Sequence, residues 1–212
     1  MKLSALVEHT GKWLGISSVA VGNYARFLRE ARKISGGIKG GGGVDMTTDD
    51  KISLFVAVLG CGTARTCAKA LPRLLALPAT KGDYPTTGDK LTFFKQPDLK
   101  RGLLALFDDI RAGKVEAWRQ ECEREFAKAA MVSGGISLAV EVLVTFEVDG
   151  NHVKMQLAGR GSMSIGKARP SLSAHFHQEF GTRPATELPG FSRRIHEISL
   201  PRLAGWAACL DD

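Results

Sequence analysis

The sequence predicts a mostly helical α+β protein, and three patterns support this fold class. Apolar residues recur at three- and four-residue steps through residues 1–35 and 47–131, which is the period of an α-helix. From residue 136 the period changes to two, because apolar residues occupy every even position up to 148. A glycine-rich segment, residues 34–46, separates the two helical stretches. We therefore divide the chain into residues 1–46, 47–131 and 132–212.

The first stretch predicts a pair of helices. The first helix has one apolar face and ends at Gly15, after which Ser17 or Ser18 can serve as the N-cap of a second helix. In the second helix Val21 and Leu28 share an apolar face, and the C-terminal half is rich in arginine. A helix, a tight turn and a second helix that carries arginines is the outline of a helix-turn-helix.

The glycine-rich segment follows directly after this basic helix. Its six glycines exclude a helix, since each costs about 1 kcal/mol relative to alanine. Apolar anchors flank the glycines on both sides: Ile34, Ile38, Val44 and Met46. We predict a short hairpin or mobile loop with Lys39 near its tip, in the position that a wing takes next to a recognition helix.

The middle stretch predicts four helices. The first begins at a capping cluster, residues 47–50, and the second runs from Thr63 to Leu77 with a kink or split at Pro72. A loop over residues 78–90 precedes a third helix that starts at Asp98. The fourth, residues 115–131, has a narrow apolar stripe of Trp118, Cys122 and Phe126. This stripe fits a helix that packs on one side only, or one that faces a partner.

The last stretch predicts a β-hairpin unit closed by a helix. One strand covers the even-numbered apolar row from 136 to 148, a turn follows at 149–151, and a second strand contains residues 153–157. Two strands are marginal in water, so a further strand near 172–176, a helix or a second subunit must cover the apolar face. A terminal helix opens near Ser199 with Pro201 in its first turn.

The charge of the chain favours a polyanionic partner. Among 212 residues, 29 Lys and Arg stand against 22 Asp and Glu, for a net charge of +7. No apolar run reaches the ~18 residues that a membrane span needs, and Glu8 and His9 interrupt the start where a signal peptide stays apolar. We therefore expect a cytoplasmic protein with no membrane partner.

The N-terminal helices and the glycine-rich segment are the predicted DNA-binding site. Residues 16–44 hold five basic residues and a single acidic one, Glu30. We expect Ser18, Asn23, Arg26 and Arg29 to point toward DNA, and Arg32, Lys33 and Lys39 to contact phosphates. The alternative is an ordinary solvated face on a helical hairpin. The order of the elements favours DNA binding, because a basic loop follows a basic helix.

Residues 14–35 resemble the winged helix-turn-helix segment of small bacterial and prophage DNA-binding proteins. The likeness is concentrated in the stretch Tyr24–Ala31, which reads Tyr-Ala-Arg-Phe-Leu-Arg-Glu-Ala. The resemblance covers about a fifth of the whole chain and does not extend beyond residue 46. The sequence departs from that pattern at Gly22, inside the helix, and at Arg32, where such sequences usually place a helix-ending glycine. The resemblance implies binding to double-stranded DNA and regulation of transcription.

Two other readings stay open for the whole chain. A helix-turn-helix followed by helices and a β-hairpin also resembles the layout of small terminase subunits, which assemble into rings for phage DNA packaging. A C-terminal domain that senses a ligand is the third. A DNA-binding regulator is expected to be a homo-oligomer as well, because an operator usually offers two half-sites about one turn apart.

Patterns for an enzyme, a cofactor or a metal are weak. Residues 161–167 fit the first seven positions of a phosphate-binding loop, but Ala168 and Pro170 follow where a hydroxyl and a helix are needed. His175 and His177 could ligate zinc only with further ligands, such as His152 and Glu179. The four cysteines lack Cys-x-x-Cys spacing and are predicted to be buried thiols. We expect no catalytic residues, cofactor or metal.

Overall fold

A computed structural model describes residues 1–36, 43–83, 91–132, 136–137, 140–149, 152–164, 171–181 and 194–210. These residues form seven α-helices and six β-strands, which confirms the α+β class. The helices are α1 Leu3–Leu14, α2 Ser18–Glu30, α3 Thr48–Gly60, α4 Ala64–Leu75, α5 Leu99–Arg111, α6 Lys114–Val132 and α7 Leu200–Ala207. The strands are β1 Ala79–Asp83, β2 Ile136–Ser137, β3 Glu141–Asp149, β4 His152–Ser164, β5 Ser171–Gly181 and β6 Arg194–Ser199.

Several helix starts lie where the sequence placed them. At α3 the Thr47 side chain accepts the backbone N–H of Asp50 at 3.2 Å, and the Asp50 carboxylate accepts the N–H of Thr47 at 2.9 Å. At α5 the Asp98 carboxylate accepts the N–H of Arg101 at 2.8 Å. Pro201 lies in the first turn of α7. Ser17 is the N-cap of α2, although its side chain makes no capping hydrogen bond.

The strands form one antiparallel sheet in the order β1-β5-β4-β3-β6, with β2 also paired to β4. The prediction of a single strand over 136–148 is wrong. Strand β2 ends with the pair Ser137–Met163, and β3 begins with the pair Glu141–Arg160. From the first pair to the second the chain advances four residues, whereas β4 covers only three, so one extra residue separates β2 from β3. The predicted loop over 78–90 is also wrong at its start, because β1 pairs there with β5.

Helices of the same chain cover the apolar row of β3. Alternate side chains of β3 are buried, from Val142 to Val148. Above them the ring of Phe55 in α3 lies 5.6 Å from that of Phe146 and 4.4 Å from that of Trp206 in α7. Helices of the same chain therefore cover the apolar face of the strands, so this face does not need a second subunit to cover it.

The apolar stripe of α6 packs against β4 at two glycines. A Cβ on Gly161 would lie 2.8 Å from the ring of Phe126, and one on Gly159 would lie 3.3 Å from the ring of Trp118. The absence of side chains at these positions lets the helix approach the strand closely. The stripe on α6 is therefore a packing surface toward the sheet.

The N-terminal helices join the same core. The indole N–H of Trp206 in α7 donates to the Thr10 hydroxyl in α1 at 3.2 Å, and Nε2 of His9 lies 3.1 Å from the Trp206 carbonyl oxygen. Helix α2 in turn packs against α3 and α4. These contacts fix α1 and α2 on the helical body. None of the described helices is by itself long and apolar enough to cross a membrane.

Candidate nucleic-acid interface

A tight glycine turn joins α1 to α2. Gly15 adopts the left-handed conformation, with φ of 70°, and the N–H of Ile16 donates to the Gly11 carbonyl at 3.0 Å. A Cβ on Gly11 would lie 2.8 Å from the Ile16 carbonyl oxygen, so only glycine allows the chain to fold back this closely. The two helices are thus joined by a three-residue turn, Gly15–Ser17, of the kind that a helix-turn-helix contains.

The two faces of α2 differ in burial and chemistry. Val21, Ala25 and Leu28 are buried against the core, as the sequence predicted. The six predicted DNA contacts that the structure describes are all exposed: Ser18, Asn23, Arg26, Arg29, Arg32 and Lys33. The seventh, Lys39, lies outside the described residues, as does the centre of the predicted wing, residues 37–42.

The structure brings only part of this set together. Ser18, Arg26 and Arg29 line a groove between α2 and the first two turns of α1. Arg29 also borders a second depression, which it shares with Arg32 and residues 34–36. Asn23 lines neither groove, because it lies about 120° around the helix axis from Arg29. The side of α2 that faces this groove is therefore the arginine side.

Most cations on this face have no partner among the described residues. Arg26 forms a loose ion pair with Glu30, at 3.8 Å, and its guanidinium lies 4.9 Å from the centre of the Phe27 ring. Within the part of the chain that the structure describes, Arg29, Arg32 and Lys33 make no ion pair. Guanidinium and ammonium groups left unpaired at a surface are suited to neutralise phosphates.

Arg32 occupies a conformation that normally selects glycine. After α2 ends at Glu30, the N–H of Lys33 donates to the Leu28 carbonyl at 2.8 Å and that of Arg32 to the Arg29 carbonyl at 3.0 Å. These are the two hydrogen bonds of a Schellman C-cap, whose left-handed residue is usually glycine. Arg32 takes that place with φ of 54°, the only described non-glycine residue with positive φ. Arg32 is therefore a residue with a strained backbone that carries an exposed guanidinium.

Sequence reasoning missed one residue of this face. Val19 is 78% exposed in the first turn of α2 and lines the same groove as Ser18 and Arg26. An exposed aliphatic side chain beside arginines is suited to contact the methyl group of thymine in the major groove. The signal was present in the sequence, because Val19 lies off the helix face that Val21 and Leu28 share.

The ends of the glycine-rich segment lie beside this surface. A Cβ on Gly36 would lie 3.5 Å from Cγ of Arg29, and Asp45 forms a β-bridge and a 3.0 Å ion pair with Lys2. Two of the predicted anchors, Ile34 and Met46, are buried, whereas Val44 is 43% exposed and Ile38 lies outside the described residues. Gly36, near one end of the segment, therefore lies next to Arg29, and Asp45, near the other end, lies at the start of α1.

Within the described residues, the other patterns in the sequence do not form a second site. Residues 161–164 of the loop-like motif belong to strand β4, and residues 165–170 lie outside the described part. His152 is buried, and its Nε2 lies 3.3 Å from Oε2 of Glu179. The β5 backbone places His175 and His177 opposite Ala158 and Gln156, and their side chains lie outside the description. Among the described residues, no three or more potential ligands group around a metal position.

The cysteines behave as core residues. All four are buried and free, as the sequence predicted. Burial raises the pKa of the Cys61 thiol to about 12 and that of Cys122 to about 11, so both are protonated at neutral pH. A protonated thiol is a poor nucleophile and a poor metal ligand.

A scan of protein-family models and searches of curated proteins and of solved structures find no match to this chain. The residues of the interface therefore carry the functional argument.

Proposed function

We propose that this protein is a sequence-selective, non-enzymatic DNA-binding protein that places α2 in the major groove, and that it regulates transcription in a bacterium or its prophage. One observation carries the proposal. Helix α2 follows a three-residue glycine turn, buries one face completely, and exposes Arg26 and Arg29 on the other; among the described residues Arg26 has only a loose ion pair with Glu30 and Arg29 has none. A duplex major groove is wide enough to admit an α-helix.

The exposed face of α2 supplies the chemistry of both readout and positioning. Arg26 and Arg29 can each make two hydrogen bonds to a guanine edge, and Val19 can contact a thymine methyl. Arg32 and Lys33 lie beyond the end of the helix, where they are placed to contact the sugar–phosphate backbone. The glycine-rich segment, with Lys39, is proposed as a wing because its ends lie beside Arg29 and Lys2.

In this proposal the protein acts as a homo-oligomer. Its support is the geometry of operators, which usually present two half-sites about one turn apart. The apolar row of β3 gives no additional support, because α3, α5 and α7 already cover it.

The alternative of a ring-forming packaging subunit has less support. It is based on the resemblance of the element order to small terminase subunits, in which hairpins of neighbouring copies can join into a barrel. In the described sheet, β3 pairs with β6 and β4 pairs with β5, so both edges of that hairpin are occupied within the chain.

The test is selection of a preferred duplex site with the full chain, followed by binding titrations by fluorescence anisotropy. Replacing Arg26 and Arg29 with alanine should remove the preference for the selected site, since each two-bond base contact discriminates by about 1–3 kcal/mol. Lys39→Ala should weaken binding to all DNA sequences by a similar factor. Failure of the full-length protein to bind any duplex at low salt would refute the proposal.

A further inference from the structure

Helices α3 and α4 have the geometry of a second helix-turn-helix. They are joined by three residues, Cys61–Thr63, which include Gly62, and their axes are bent by 115°. Helix-turn-helix motifs join two helices at about 90–120° through a three- or four-residue turn that often contains glycine. Helix α3 is buried from Asp50 to Leu59, so only α4 presents a surface to solvent.

Helix α4 presents three basic residues in one exposed row. Arg65, Lys69 and Arg73 are spaced by four residues and are all exposed, whereas Cys67, Leu71 and Leu74 on the opposite face are buried. Residues four apart lie on the same side of a helix, so the row extends about 12 Å along the axis. We call these three residues the α4 ridge.

The α4 ridge differs from the basic residues of α5 and α6 because it has no ion pair among the described residues. Basic residues of α5 and α6 lie beside acidic ones three positions away, as in the pairs Arg101–Asp98, Arg119–Glu116 and Lys128–Glu125. Helix α4 contains no acidic residue, and no described acidic side chain pairs with the ridge. Three unpaired cations in a row are complementary to a regular line of phosphates.

The turn before α4 is tied to the proposed recognition helix. The Tyr24 hydroxyl of α2 donates to the Cys61 carbonyl at 3.1 Å. The Arg194 guanidinium of β6 donates to the same carbonyl at 2.8 Å and to that of Gly62 at 2.6 Å. These bonds satisfy carbonyl groups at the end of α3 and fix the position of α4 beside α2.

We propose that α4 is a second DNA-contacting helix, whose ridge lies on the phosphates of the duplex that α2 reads. This inference rests on the proposed function and deepens it, since it adds an element that the N-terminal motif lacks. In this inference the α3–α4 unit positions the protein on the sugar–phosphate backbone of the DNA, while α2 contacts the bases.

The experiment compares two variants that lose the same charge. The first, R65Q/K69Q/R73Q, removes the α4 ridge. The control, R101Q/R111Q/K128Q, removes three cations that are paired with acidic residues on α5 and α6. The affinity of each full-length protein for the selected duplex is measured by anisotropy from 50 to 200 mM salt, with thermal melts to verify folding.

The expected result is a flatter salt dependence for the ridge variant alone. Loss of three phosphate contacts lowers the slope of log K against log salt by about 2.7, so the wild-type affinity should fall about 40-fold more than that of the variant across this range. The control should keep the wild-type slope.

Two outcomes overturn this inference alone, and a third overturns it together with the proposed function. If the ridge variant keeps the wild-type slope while R26A/R29A loses site preference, α4 makes no phosphate contacts and the proposed function stands. If both triple variants weaken binding equally, net charge rather than the ridge determines affinity. Absence of duplex binding by the wild type would refute the proposed function and this inference together.

Discussion

Replacing Arg32 with glycine should stabilise the protein and weaken its binding to DNA. Arg32 holds the left-handed position of the α2 C-cap with φ of 54°. The left-handed conformation costs an L-residue roughly 1–2 kcal/mol. Glycine removes that strain but loses roughly 0.5–1 kcal/mol through the greater freedom of the unfolded chain. The net expected gain in the free energy of unfolding is therefore about 0–1.5 kcal/mol, centred at about 0.75 kcal/mol.

Thermal and denaturant unfolding measure this gain. A change of 1 kcal/mol corresponds to about 2–4 °C in a chain of this size, so Arg32→Gly should melt a few degrees above the wild type. The hydrogen bonds of the cap are made by backbone groups and are expected to remain. In salt titrations of duplex binding, loss of one phosphate contact should lower the slope by about 0.9.

Arg32→Ala separates strain from charge. Alanine keeps the cost of the left-handed backbone and lacks the guanidinium, so it should bind DNA as weakly as the glycine variant without its added stability. A glycine variant that melts at or below the wild-type temperature would refute the strain argument. Wild-type slopes in both variants would refute a phosphate contact by Arg32.

Two further predictions concern the core. Val142→Asp should unfold the protein, because an unpaired buried carboxylate costs several kcal/mol, whereas Thr145→Asp on the other face of β3 should be tolerated in circular dichroism melts. Equal tolerance of both would contradict the half-buried strand. Gly205→Ala should destabilise by about 1–3 kcal/mol, since its Cβ would lie 2.5 Å from a tryptophan ring of α1. Gly22→Ala is the control. Its Cβ would meet only one atom, at 3.9 Å, so it should stabilise by up to about 1 kcal/mol in urea unfolding. Similar effects at both glycines would contradict the packing of α7 on α1.

Features that depend on neighbouring residues could be predicted from the sequence. The capping box at Thr47 and the N-cap at Asp98 use side chains that bond to backbone groups three residues away. The burial of alternate residues from 142 to 148 follows from the two-residue period of a strand. The exposure of Arg26 and Arg29 follows in the same way, because the apolar positions of α2 define its buried face.

Features that depend on distant partners could not be predicted. β1 contains Gly82 and follows Pro78, residues typical of a loop, and it becomes a strand by pairing with residues about 100 positions later, such as Phe180. The break between β2 and β3 arises from the register of β4, which alternation within one strand cannot indicate. The left-handed φ of Arg32 is a local feature, but its residue type gives no signal for it; only the position of a helix-ending glycine in the resembling sequences points to it.

The helices where function is proposed differ from α5 and α6 in how their cations are paired. Helices α5 and α6 pair most of their cations with nearby acidic residues, through the ion pairs Arg101–Asp98, Arg111–Asp108, Lys114–Asp109, Arg119–Glu116, Arg119–Glu123 and Lys128–Glu125. Helix α2 has one acidic residue and α4 has none. Among the described residues, α2 with the two residues after its cap and α4 thus carry cations without acidic partners, and these two helices pack against each other. In the proposed function, these cations attract the phosphates of a duplex toward α2 and α4 before any base is contacted, which net charge alone cannot do.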